Sequence, residues 1–197
     1  MRVIGIDTAS RLASVALVEN GWLVYESTYP CCASTSDTEA HSKSNHAETI
    51  LPLLQRLIDS TRVSLQDVTG FAISNGPGSF TGLRIGLSTV KGLAYGSKIP
   101  VVGISTLLAH AARVTDDDGL ICALLDARKN EVYAAIFRKS GQVITRVIED
   151  TVAPVANIVA MVQHLGRGAP CLMVGDGTTV YKNFLRDLPG IRMNDAT

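Results

Sequence analysis

Two aspartates stand at the carboxyl ends of predicted strands, where open α/β sheets place their ligands. Asp7 follows the apolar run 3–6 and precedes Thr8, and Asp126 follows the run 120–125. In an ATP-dependent phosphotransferase, carboxylates at such positions hold the metal ion of the nucleotide. The alternative is structural, because an aspartate at a hairpin also caps the turn by accepting hydrogen bonds from its amides. The three residues after each aspartate include no glycine, which disfavours close approach of a phosphate to the backbone.

Glycine-rich segments follow two other predicted strands. The segment 76–82 reads GPGSFTG and leads into a predicted helix, and Gly175 opens the shorter sequence GDG. Glycines at a helix N-terminus expose backbone amides that bind anions. Because no GK[ST] closes the first segment, it is not a Walker loop. A tight turn with positive φ at its glycines is the alternative interpretation.

The predicted helix 81–97 carries an unusual number of glycines. Each glycine costs up to about 1 kcal/mol relative to alanine, which predicts close contact of this helix with other backbone. The four glycines are Gly82, Gly86, Gly92 and Gly96. The opposite side carries a mixed stripe at spacings of four, three and four residues: Arg84, Ser88, Lys91 and Tyr95.

The preceding predicted helix, from about residue 45 to about residue 60, also has surplus apolar surface. Its apolar positions, which include Leu53 and Leu57, cover roughly 160° of the helix, more than the ~100° that a one-sided surface helix needs. Two neighbouring helices of this kind predict a helix–helix interface with another chain. A deeper core inside one chain is the alternative.

Other reactive side chains form no recognisable set. His41 and His46 stand in a polar stretch, and we expect no metal site there. The four cysteines lack the spacing of a metal site, which predicts reduced thiols in an intracellular protein. Since no Ser/His/Asp or Cys/His arrangement can be assembled, the sequence predicts no catalytic residue.

Composition excludes several classes of protein. The chain has 197 residues, with 18 Lys and Arg against 18 Asp and Glu, so it lacks the basic excess of a protein that binds nucleic acid unaided. No apolar run approaches the ~18 residues of a membrane span, and the N-terminal sequence lacks the apolar core of a signal peptide. We expect a cytoplasmic protein without membrane contact.

The order of predicted elements indicates an internal repeat. The first part reads as βββαβα followed by βα, and the second reads as βββαβα with a shortened end. Hairpins followed by βα crossovers give mixed sheets in an α/β fold. The acidic run 116–118 marks the division, which predicts a lobe 1–114 and a shorter lobe 115–197. A solvated loop inside one domain is the alternative interpretation of that run.

Four segments resemble one known family in the same order. They are IGIDTAS (4–10), HAETILPLL (46–54), the glycine-rich block 73–106 and LLDARKNEVYAA (124–135). The chain resembles the bacterial tRNA threonylcarbamoyladenosine biosynthesis proteins of the TsaB (YeaZ) family. The resemblance covers most of residues 1–138 and implies a duplicated actin-like ATPase (ribonuclease H-like) fold.

The resemblance also implies a function. Members of this family act as non-catalytic partners of the transferase TsaD and the ATPase TsaE, which together modify the adenosine beside the tRNA anticodon. It implies contact with tRNA only through the complex, a homodimer of the isolated chain, and no tightly bound cofactor, with ATP or ADP expected only at the partner interface. In the family two helices form the partner contact, which implies these interface positions: Leu53, Leu57, Arg84, Ser88, Lys91 and Tyr95.

The resemblance bears on metal binding too. The transferase carries metal-binding histidines as HxxxH, and the matching positions here are Thr106 and His110. One histidine cannot hold a catalytic metal alone, which disfavours a metalloprotease. An actin-like phosphotransferase is the alternative function, in which a nucleotide cleft, otherwise vestigial, would be formed by Asp7, Thr8, Asp126 and Gly175.

Overall fold

The computed structural model describes residues 1–10, 12–29, 46–115 and 118–193 of the chain. It divides into two compact units, Met1–Ile104 and Ser105–Thr197. Each unit contains one five-stranded mixed sheet. The helix Thr106–Ala112, which we assigned to the first lobe, packs on the second sheet, and the division therefore falls after Ile104.

The first unit is built from three antiparallel strands followed by two βα steps. Its elements are β1 (Arg2–Asp7), β2 (Ala13–Glu19), β3 (Trp22–Tyr29), α1 (His46–Thr61), a 3₁₀ turn (Leu65–Asp67), β4 (Gly70–Ser74), α2 (Phe80–Ser97) and β5 (Val101–Ile104). The sheet order is β3-β2-β1-β4-β5, with β4 and β5 parallel to β1. Asn20 and Gly21 have φ of 52° and 88°, the left-handed pair that a two-residue hairpin requires.

One face of the first sheet carries the core of this unit. Alternate residues of β1, β2 and β4 point to that face, as period-2 patterning requires, and α1 and α2 cover it. Leu53 and Leu57 of α1 lie in this core with 1% and 0% of their surface exposed. The wide apolar arc of α1 is therefore used largely inside the chain, as in the deeper-core alternative.

The second unit repeats the same topology. Its elements are α3 (Thr106–Ala112), β6 (Gly119–Arg128), β7 (Glu131–Ser140), β8 (Val143–Pro154), α4 (Val155–Gly166), β9 (Cys171–Val174), α5 (Asp176–Val180), α6 (Lys182–Leu185) and β10 (Ile191–Met193). Read from β8, the sheet order is β8-β7-β6-β9-β10, which matches β3-β2-β1-β4-β5 element by element. The predicted duplication is confirmed.

Two details at the end of this unit differ from the prediction. The sequence favours one helix over 178–188, whereas the structure has two short helices that meet at Tyr181. The strand β10 was not predicted, because three residues between Gly190 and Asn194 are too few to show alternation. Both units thus have a five-stranded sheet, and the two short helices α5 and α6 follow β9 where the long helix α2 follows β4.

Both faces of the second sheet are covered. Cys122 and Leu124 of β6 face the side of α4, whereas Ile121 and Ala123 face Leu107 of α3. Burial on both sides explains why β6 reads as a continuous apolar run rather than an alternating one. None of the helices formed by the described residues is long and apolar enough to cross a membrane.

Candidate functional site

The glycine-rich segment forms a tight turn that starts α2. Gly76 and Gly78 have φ of 111° and 155°, conformations that favour glycine. Ser79 is the N-cap of α2, and its hydroxyl oxygen accepts a hydrogen bond of 3.2 Å from the backbone N–H of Gly82. The tight-turn alternative thus describes this segment.

The first half of α2 lies directly against the end of β1. A Cβ atom on Gly82 would come well inside 3.0 Å of the Thr8 carbonyl oxygen, and one on Gly86 would overlap the Thr8 hydroxyl. Gly78 approaches Ala9 in the same way, and the N–H of Ser79 donates to the Ala9 carbonyl at 2.7 Å. Since not even a methyl group fits there, this contact leaves no space for a phosphate between β1 and α2.

The second half of α2 behaves differently. Gly92 and Gly96 are exposed, and a Cβ atom added to either would have nothing within 4 Å. Both glycines therefore lower the stability of the helix. Among the described residues, neither makes a close contact that a larger side chain would block. A closely approaching helix of another chain is one contact that would require them.

The predicted stripe of α2 lies on the surface beside these two glycines. Arg84, Ser88, Lys91 and Tyr95 are exposed, Tyr95 with 90% of its surface, and at 100° per residue they span an arc of about 60°. The two predicted positions on α1 do not join them. Leu53 and Leu57 are buried in the core of the first unit, which corrects their assignment to an exposed interface.

Sequence reasoning missed one residue of this surface. Phe80 begins α2 with 71% of its surface exposed, and the Arg84 guanidinium lies 4.7 Å from the centre of its ring. The signal was present in the sequence, because residues four apart on a helix are neighbours. We define the α2 surface as Phe80, Arg84, Ser88, Lys91, Gly92, Tyr95 and Gly96.

The aspartates of the proposed nucleotide cleft bind backbone amides of their own turns. Asp7 Oδ1 accepts from the N–H of Ala9, and Asp126 Oδ1 accepts from the N–H of Arg128, both at 2.9 Å. The two positions are not equivalent in the repeat. Asp7 directly follows Ile6, the last β1 residue paired with β4, whereas Asp126 lies three residues beyond Ala123, the last β6 residue paired with β9.

Around Asp126 the second unit forms a contact like that of Thr8. The N–H of Asp126 donates to Asp176 Oδ1 at 3.1 Å, and Gly175, with φ of 97°, lies against the carbonyl of Leu124. Tyr181 approaches the same corner, where burial, together with the Asp126 carboxylate, raises the pKa of its hydroxyl. These contacts fasten the β9–α5 loop to β6.

Comparisons with known proteins agree with this fold. A family model described as TsaD, tRNA N6-adenosine threonylcarbamoyltransferase, matches residues 36–189. The chain is 36% identical over 141 residues to the tRNA threonylcarbamoyladenosine biosynthesis protein TsaB of Escherichia coli, and 28% identical over 192 residues to that of Bacillus subtilis. It belongs to the TsaD family, in the TsaB (YeaZ) branch.

The solved structure of YeaZ from Pseudomonas aeruginosa has the same fold. Its TM-score is 0.74 at 24% identity, and the match covers all of this chain and 84% of that one. The sequence matches cover 98% of this chain and 78% of the Bacillus protein, and 71% of this chain and 56% of the Escherichia protein. The chain thus spans little more than half the length of the latter relative.

The start of α3 carries Thr106 and His110, the two positions that the resemblance singled out for metal binding. Thr106 is the first residue of this helix. It is 1% exposed, and its hydroxyl has no hydrogen-bond partner among the described residues. His110 is half-buried one turn later. Of the other singled-out residues, His41, Cys31 and Cys32 lie outside the described residues, as does the side chain of His46.

Proposed function

We propose that this protein is a non-catalytic subunit for the synthesis of threonylcarbamoyladenosine in tRNA. Membership of the TsaD family and the pathway named for its TsaB relatives support this role. In this proposal the chain acts with a TsaD-type transferase and a TsaE-type ATPase in the cytoplasm, and it meets tRNA only within their complex.

The α2 surface is where we place the contact with the transferase. The observation that carries this assignment is the exposure of Gly92 and Gly96, with nothing within 4 Å of an added Cβ. Two small residues one turn apart allow the backbone of a second helix to approach closely, and such an approach would repay their cost to α2. Tyr95 beside them supplies the kind of aromatic side chain that anchors interfaces.

We also propose that this chain alone holds no nucleotide tightly. The direct contact of Thr8 with Gly82 supports this, since it fills the space that a phosphate would need at the start of α2. ATP or ADP would bind at the joint surface with the partner. The isolated chain would self-associate through the α2 surface.

Two experiments test the role. Depletion of the protein in its own organism should lower threonylcarbamoyladenosine in total tRNA hydrolysates, as measured by mass spectrometry; an unchanged nucleoside level would exclude the pathway. Co-purification of the full chain with the TsaD-type transferase should be lost in Gly92→Leu, whose side chain fills the helix-packing groove. Ala160→Leu, which adds a leucine side chain at an exposed position of α4, is the control.

A further inference from the structure

We propose that the partner surface facing α2 is acidic, with carboxylates opposite Arg84 and Lys91, and that Phe80 positions Arg84 for this contact. The inference rests on the proposed function, since it names the chemistry of the surface that would dock on α2. It goes further in distinguishing that partner from a second copy of this chain.

The charge of α2 is one-sided. Its 18 residues, Phe80–Ser97, include Arg84 and Lys91 and no aspartate or glutamate. Both cations are exposed within the arc of the α2 surface, and neither takes part in any ion pair among the described residues. A partner with carboxylates at the matching spacing would form ion pairs with both Arg84 and Lys91, while a basic partner would be repelled.

Phe80 orients the Arg84 guanidinium on the surface of α2. The guanidinium of Arg84 lies over the exposed ring at 4.7 Å from its centre, within cation–π range. Because the planar fork is held before binding, less side-chain entropy is lost when it pairs with a carboxylate in two parallel hydrogen bonds. Phe80 is therefore a positioning residue that acts through Arg84.

A second copy of the chain would dock on this surface less favourably than an acidic partner would. In a twofold pair formed through the α2 surface, Arg84 and Lys91 of both copies lie in the same interface. Because these side chains carry the same charge, they oppose self-association. Self-association should thus strengthen when salt screens these charges, whereas binding to an acidic partner should weaken.

The test measures Kd between the full chain and the purified TsaD-type transferase at about 50 mM and about 300 mM salt. We expect Arg84→Glu and Lys91→Glu each to raise Kd about tenfold or more, and the wild-type Kd to rise with salt. Arg138→Glu, the same charge change on an exposed site of β7, should leave Kd unchanged. Phe80→Leu should raise Kd severalfold in the otherwise wild-type chain. In the Arg84→Gln background, the same substitution should leave Kd unchanged.

The outcomes separate the two proposals. If Gly92→Leu abolishes binding while charge reversal and salt have no effect, the docking site stands and the acidic partner surface is wrong. If Gly92→Leu also binds like the wild type, the α2 surface is not the docking site. Self-association that weakens with salt, measured by sedimentation of the isolated chain, would overturn the charge argument against a second copy.

Discussion

The carbonyl oxygen of Thr8 and the α-carbon of Gly82 are in direct contact, with no room for a side chain between them. This contact joins the end of β1 to the first turn of α2. Leu124 and Gly175 form a similar contact in the second unit, between the end of β6 and the loop after β9. In each unit a glycine thus brings the segment that follows the second parallel strand onto the central strand.

The first prediction concerns the two pairs of glycines in α2. Gly82→Ala should lower the free energy of unfolding by about 1–3 kcal/mol, because the methyl group meets backbone that cannot move aside. Gly96→Ala should raise it by up to about 1 kcal/mol, because the helix gains propensity without a clash. Urea unfolding of both variants measures the difference. Equal effects of the same sign would contradict the contact with Thr8.

The different roles of these glycines show what the sequence could predict. Their number on one helix predicted close contact, but spacing alone could not tell which pair meets β1 and which faces outward. The polar stripe of α2 was predicted at the surface because Arg84 and Lys91 need solvent or a partner. The apolar arc of α1 did not show whether its residues belong to a core or to an interface, because both environments favour an apolar residue such as Leu53.

The topology was predictable where each strand had its own pattern. Repeated hairpins followed by βα steps predict both units, and the Asn20-Gly21 pair at the β2–β3 turn is a sequence that favours a two-residue hairpin. Asp7 and Asp126 look equivalent in the sequence because each follows an apolar run. Whether two positions of the repeat are equivalent is decided by strand register, which depends on the pairing of β1 with β4 and of β6 with β9. The residue pattern of a single strand does not contain this information.

A second prediction compares two buried threonines. Thr106→Val should raise the free energy of unfolding by about 1 kcal/mol, because it removes a buried hydroxyl with no hydrogen-bond partner among the described residues. Thr178→Val should lower it by about 1 kcal/mol, because the Thr178 hydroxyl donates to the Gly175 carbonyl at 2.7 Å. Thermal unfolding distinguishes the two signs. A loss of stability in both variants would show that the Thr106 hydroxyl is paired.

A third prediction concerns the N-cap of α3. Ser105 accepts a hydrogen bond from the N–H of Leu108 at 3.3 Å and donates one to Asp150 Oδ2 at 2.9 Å. Ser105→Ala removes both hydrogen bonds and should lower the free energy of unfolding by about 1–2 kcal/mol. Ser105→Gly also removes them, but glycine favours the backbone geometry of an N-cap, so this variant should lose less stability than the alanine variant. Hydrogen exchange should be faster in Thr106–Ala112 of the alanine variant. Unchanged protection there would contradict the role of this cap.

The last prediction uses the two buried thiols of the second sheet. Burial raises the pKa of Cys122 well above its usual range, with a smaller contribution from Cys171, and burial raises the pKa of Cys171 to about 12. In the unfolded chain both thiols lose their protons near pH 8.5, while the folded chain keeps them. The unfolded state therefore binds fewer protons above that pH, and stability falls as pH rises, by up to about 1.4 kcal/mol per pH unit for each thiol.

The measurement is urea unfolding between about pH 8 and about pH 10 in a background with Cys31 and Cys32 replaced by serine. Cys171→Ala in the same background should show a shallower fall with pH, since one of the two thiols is gone, even though the variant starts from lower stability because it leaves a cavity. Lysines and tyrosines also titrate in this range, but they are common to both proteins, so the difference in slope reports the thiol. Identical slopes would mean that Cys171 reaches its ordinary pKa in the folded chain, and that the core around β6 and β9 admits water.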